Sequence, residues 1–125
     1  MIDLPRFKHS FGYAMEGIIF AFKRDQNIRI HFFVALLVIF FSLVLDVNPF
    51  EMGILGIMIL FVIVTEMINT VIENMVDLIT KEHHEEAKRA KDVASGMVLL
   101  TASGSIIVGI LIFLPHILRL LNIIH

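Results

Sequence analysis

The chain has 125 residues, enough for one domain and too few for two. Apolar residues make up 58% of it and the mean hydropathy is +0.88. That exceeds the roughly half-apolar content of soluble domains and identifies an integral membrane protein. A net charge of −2 gives no basis for nucleic-acid binding, and the lack of cysteine excludes disulfides, haem attachment and thiolate zinc sites.

Pro5 suits the first turn of a helix, where its missing N–H is no loss. Phe7, Phe11, Ala14, Met15, Ile18 and Phe22 follow at spacings of three and four, with Arg6, Lys8, His9, Lys23 and Arg24 largely off that stripe. The pattern predicts an amphipathic helix over residues 5–27, lying along a membrane surface. No signal peptide is expected, because the first apolar run starts only after Arg29 and no small-residue cleavage pattern follows it.

Three apolar segments come next, predicted as helices over 28–47, 50–80 and 88–120. Asp46-Val47-Asn48-Pro49 forms the turn between the first two, with Pro49 placed to start the second. The segment Lys81 to Asp92, KEHHEEAKRAKD, separates the second from the third. Thr101, Ser105 and Gly109 repeat every four residues in the last segment, a small-residue pattern that predicts close helix packing. The expected fold class is therefore an all-α membrane protein with one surface helix and three transmembrane helices in a single domain, 1–125. Lys and Arg concentrate before the first span and between the second and third, so both regions are expected on the cytoplasmic side.

The second span breaks the apolar rule at Glu66-Met67-Ile68-Asn69-Thr70, followed by Glu73 and Asp77. At about 100° per residue, Asn69, Glu73 and Asp77 lie at about −60°, −20° and +20° from Glu66, and Thr70 at about +40°. These residues share one face over about 16 Å of axis. Two readings compete. In one, the stripe is a solvated rim whose acids pair with Lys88, Arg89 or Lys91. In the other, it binds a divalent cation and positions a base, since magnesium favours one or two carboxylates plus phosphates and a carboxylate against an apolar wall is a stronger base. Lys88-Arg89-Ala90-Lys91-Asp92 forms a second cluster that can neutralise phosphate oxygens or merely anchor the span. His83-His84-Glu85-Glu86 has the composition of a metal tract, but adjacent residues on a helix point in different directions. No P-loop or Rossmann glycine pattern is present.

Glu66-x2-Asn69-Thr70-x2-Glu73-x3-Asp77 followed by Ala90-Lys91-Asp92 resembles the small integral-membrane lipid kinases of bacteria, the prokaryotic diacylglycerol kinase/undecaprenol kinase family. The resemblance covers nearly the whole chain. It implies a homotrimeric helix bundle in the bacterial inner membrane, with its active site on the cytoplasmic side, sites shared between neighbouring chains, and ATP- and Mg2+-dependent phosphorylation of a lipid alcohol. Glu66 would be the general base, with Asn69 and Asp77 supporting the same face. Glu73 and Asp25 would hold the metal and contact the nucleotide, although the family usually has a glutamate where this chain has Asp25. Lys91, Asp92, Glu82, His83, His84, Arg6 and Tyr13 fall at the family's nucleotide-contacting positions. Arg29-Ile30-His31 and Thr70 resemble the branch that prefers undecaprenol over diacylglycerol. Acids in a membrane helix would also suit a small cation transporter subunit, and the Thr101, Ser105, Gly109 face a non-catalytic assembly module.

Overall fold

The structure, a computed structural model, describes residues 1–123 and consists of four helices. Helix α1, Leu4–Arg24, starts where the Asp3 carboxylate accepts a hydrogen bond from the Arg6 N–H and Pro5 occupies the first turn. Helix α2, Gln26–Val44, follows after a single residue. That residue, Asp25, sits in extended backbone, ends α1 by donating its N–H to the Ala21 carbonyl, and caps α2 by accepting from the Asn27 N–H at 2.8 Å. The Arg29 guanidinium reaches back to the Phe22 and Lys23 carbonyls at 3.0 and 2.8 Å, satisfying acceptors that the end of α1 leaves free. Sequence periodicity ran the surface helix on to residue 27. The break at Asp25 arises because a short carboxylate there can satisfy the first N–H groups of a new helix.

Beyond α2 the chain turns through Asp46, whose φ of 53° lies in the left-handed region that Asp and Asn tolerate better than most residues. Helix α3, Pro49–Ile79, opens with a reciprocal capping box: Asn48 accepts from the Glu51 N–H at 2.9 Å, and Glu51 accepts from the Asn48 N–H at 3.4 Å. Helix α4, Glu85–Leu120, begins one turn ahead of the expected position. His84 Nδ1 accepts from the Glu86 N–H, and Arg89 pairs with both Glu85 and Glu86 across the first turn. Pro115 lies inside α4 and denies the Leu111 carbonyl its helical partner.

Helices α2, α3 and α4 are each long and apolar enough to cross a membrane. At about 1.5 Å per residue, α3 runs about 46 Å and overhangs a hydrocarbon core of about 30 Å. The α3–α4 contact is the most extensive, α2 lies on α3, and α1 touches α2. Near the Asn48 end, Val47, Leu55 and Ile112 form an apolar cluster with Val38, Leu45 and Phe113 against it. There His116 Nε2 lies 2.9 Å from Glu51 Oε2, joining the start of α3 to the end of α4. Large apolar side chains such as Phe33, Leu60, Leu100 and Leu111 are exposed, as a bundle surrounded by hydrocarbon requires.

The small-residue face of α4 behaves only partly as expected. Thr101 packs onto α3 through its hydroxyl, 2.9 Å from that of Thr65. Gly109 makes no close approach, because nothing lies within 4 Å of where its Cβ would stand. The glycine widens a cleft there.

Replacing Asn48 by Ala removes one half of the capping box and is expected to destabilise the start of α3 by about 1 kcal/mol. A fall in the thermal unfolding midpoint in detergent micelles, absent from a control substitution at exposed Phe50, checks this.

Candidate active site

The polar face of α3 divides into a buried half and an exposed half. Thr65, Glu66, Asn69 and Thr70 are buried, whereas Glu73 and Asp77, one and two turns further on, are exposed. Both threonines are satisfied within the protein. Thr65 bridges to Thr101, and Thr70 donates to Asp25 Oδ2 at 2.8 Å while lying 3.1 Å from the Glu66 carbonyl. The side chain between them is not. Glu66 has 1% of its surface exposed, and neither carboxylate oxygen has a hydrogen-bond partner among the described residues.

An unpaired charge held away from water costs several kcal/mol, so a side chain of this kind is a functional candidate in its own right. Asp25 and Glu73 lie close enough to act on Glu66 electrostatically, and Asn27 faces it without reaching hydrogen-bond geometry. Asn69 presents a further unpaired atom, Oδ1, while its amide nitrogen sits 3.4 Å from Glu73 Oε1. A pocket of about 360 Å³ opens beside these groups, lined by Asn27, His31, Glu66, Asn69, Ser95 and Ala102. It is a polar-floored recess between three apolar helices, suited to a ligand that presents a hydroxyl.

Further along α3, Lys91 Nζ lies 2.6 Å from Asp77 Oδ1 and ties α4 to α3. Lys88 pairs with Asp92 at 2.5 Å within α4. The solvated-rim reading therefore describes Asp77 and leaves Glu66 unexplained. The remaining candidates lie elsewhere: Arg6 and Tyr13 on the exposed surface of α1, and Glu82, His83 and His84 in the exposed α3–α4 connection. Within the described residues, His84 serves as the cap of α4.

Asp25 and Glu73 offer carboxylate oxygens, the donor type a hard cation such as magnesium takes. Asp25 accepts one hydrogen bond on each oxygen and keeps lone pairs free, and Glu73 is exposed and only weakly engaged by Asn69. No group of three or more acidic or histidine side chains converges on one point among the described residues. Two carboxylates completed by water and phosphate oxygens is the arrangement magnesium favours.

Three lining residues escaped the reading of the acidic stripe: Asn27, His31 and Ser95. Their signal lies in spacing. Asn27 and His31 are four apart on α2, and Ser95 follows Lys91 by four on α4.

The family described as prokaryotic diacylglycerol kinase matches residues 12–113. An undecaprenol kinase from Bacillus subtilis is 39% identical over 113 residues, covering 90% of this chain and 92% of that protein. A diacylglycerol kinase from Synechocystis sp. is 38% identical over 118 residues, covering 94% of this chain and 67% of that protein. The Escherichia coli diacylglycerol kinase is 30% identical over 105 residues, covering 84% of this chain and 86% of that protein. The match takes in α2, α3 and the buried carboxylate between them, and with it this chain belongs to the prokaryotic diacylglycerol kinase family and is a membrane lipid kinase.

Proposed function

We propose that this kinase transfers the γ-phosphoryl group of ATP to the hydroxyl of a long-chain isoprenoid alcohol, undecaprenol, with Glu66 as the general base. The observation that carries the reading is the Glu66 carboxylate, buried, without a hydrogen-bond partner among the described residues and set with Asn69 in the wall of one recess between α2, α3 and α4. The alcohol oxygen attacks the γ-phosphorus, its proton passes to a Glu66 oxygen, and ADP departs with the electron pair of the broken P–O bond. A positioned base of this kind contributes about 10²- to 10⁴-fold. Asn69 orients the alcohol from the next turn, and Asp77 holds Lys91 at the rim where phosphate oxygens arrive. Asp25 and Glu73 would hold magnesium, which when bound neutralises charge on the phosphate oxygens.

Undecaprenol is supported by Arg29-Ile30-His31, by Thr70, and by the B. subtilis relative, which is named an undecaprenol kinase. Diacylglycerol is the second reading, favoured by the names of the Synechocystis and E. coli relatives. We place the protein in the bacterial cytoplasmic membrane with its site on the cytoplasmic side. Nine of its ten Lys and Arg residues precede α2's apolar stretch or lie between Ile79 and Val93, which supports that orientation. A homotrimer would bring Arg6, Tyr13, Glu82, His83, His84 and Asp92 of one copy toward the nucleotide bound on the next, and their exposure, with none of them in the lining of the Glu66 recess, supports such sharing.

Glu66→Gln is expected to lower kcat at least 100-fold with little change in the KM for ATP. It should also raise thermal stability, by about 1–3 kcal/mol, because an uncompensated buried charge disappears. Undiminished turnover in this variant would remove Glu66 as base. Lys91→Ala is expected to raise the KM for ATP about tenfold, a loss of about 1.4 kcal/mol, and an unchanged KM would remove Lys91 from the phosphate site. Parallel assays on undecaprenol and diacylglycerol, with and without magnesium, should give higher kcat/KM for undecaprenol and none without the ion. Preference for diacylglycerol would overturn the choice of lipid.

A further inference from the structure

A second cleft, of about 400 Å³, lies between α2, α3 and α4 and adjoins the first at His31. The two share His31, which lines both. From His31 the cleft passes Val38, Leu55, Gly109 and Phe113 to Ile117, and apart from His31 and Ser105 its lining is apolar. Ser105 spends its hydroxyl proton on the Ala102 carbonyl of its own helix at 2.8 Å, so it offers the cleft no free donor. The empty space beside Gly109 leaves the passage wide.

Residue spacing on α3 gives the separation of the two ends of the cleft along the helix, and a hydrocarbon core taken to begin at Pro49 gives their depth. Counting from Pro49, at about 1.5 Å per residue, Glu66 stands about 26 Å along the helix and Leu55 about 9 Å. With a hydrocarbon core of about 30 Å, these positions fall on opposite sides of the midplane, which lies at about 15 Å. On that placement the recess at the buried carboxylate and the adjoining apolar cleft, with His31 in the wall of both, would together reach past the middle of the membrane.

We infer that this cleft holds the hydrocarbon chain of the lipid alcohol, that His31 sits where the chain meets its hydroxyl, and that the length of the cleft favours alcohols whose chain extends past the midplane. The inference rests on the reading of Glu66 as the base for a long-chain alcohol and adds a chain-length determinant to it. The occupant is assigned by adjacency: a cleft that is apolar apart from His31 and Ser105 and adjoins the polar recess at His31 fits a molecule with one hydroxyl and a long hydrocarbon tail. A single acyl chain confined to one leaflet would leave its far half unfilled.

Two measurements on the full-length protein in nanodiscs test this. In the first, isoprenoid alcohols of increasing length are compared as substrates of the wild type, Gly109→Phe and Gly109→Ala. Gly109→Phe should lower kcat/KM for the longest alcohol at least tenfold relative to the shortest, with Gly109→Ala intermediate. An equal loss at every length, in protein with wild-type thermal stability, would overturn the inference. In the second, a long-chain isoprenol carrying a photoreactive group at its far end is irradiated without ATP and the labelled peptides are mapped. Labels at Leu55, Phe113 or Ile117 support the cleft, whereas labels confined to outward-facing Leu60 or Leu100 overturn it.

A second copy of the chain is the competing occupant. The absence of native cysteine allows a clean check, since Ile117→Cys forming disulfide-linked dimers that exclude the lipid probe would assign the cleft to that copy and overturn the inference. Wild-type enzyme that phosphorylates diacylglycerol and no isoprenol would refute the substrate reading. Cross-linking, which needs no turnover, then decides the cleft on its own.

Discussion

The rest of the structure is arranged around a carboxylate that has been taken out of water and finds no hydrogen-bond partner among the described residues. Burying an ion without compensation is among the least favourable things a fold can do, and here it happens on a helix already committed to hydrocarbon. The surroundings limit the damage without cancelling it. The threonines on either side of Glu66 are paired, Thr65 to Thr101 and Thr70 to Asp25. What stays unsatisfied among the described residues is the Glu66 carboxylate and, one turn on, Asn69 Oδ1. Stability has been surrendered at that point and recovered along the α3–α4 seam, through apolar contact near Asn48 and ion pairing near Lys91.

The arrangement also separates two jobs. In the proposed reading, the buried half of the α3 face would handle a hydroxyl against an apolar wall. The exposed half, one to three turns on, would handle the charge of a triphosphate where cations and water are at hand. A single continuous helix places the two zones at a fixed separation, so lipid and nucleotide need not compete for the same solvent environment. Reaction at the boundary then depends on geometry more than on covalent chemistry, as phosphoryl transfer allows.

Much of this was legible in the sequence, and for identifiable reasons. Three long apolar runs and an amphipathic start leave few architectures for 125 residues. A stripe with helical spacing announces itself when its background is uniformly apolar, which is why Glu66, Asn69, Glu73 and Asp77 stood out. The difference between its two halves did not stand out, because one-dimensional spacing holds no information on how far along the helix its neighbours reach. Asn27, His31 and Ser95 were harder to see, since isolated polar residues near span ends are common and only the meeting of α2 with α4 gives them a shared recess. Gly109 misled in the opposite direction. A small-residue repeat normally brings helices together, yet here Thr101 does so and the glycine keeps space open.

The family resemblance implies a glutamate at position 25, and the hydrogen bonds of Asp25 explain what the shorter side chain does here. It ends the surface helix, begins the first spanning helix and accepts from Thr70 on the polar face of α3. Aspartate is a strong helix-starting residue and glutamate, one methylene longer, is not. A longer acid would therefore loosen the elbow between two helices while carrying its carboxylate further from the corner. Position 25 serves two elements at once, so a change of acid there calls for a matching change in how the chain turns the corner.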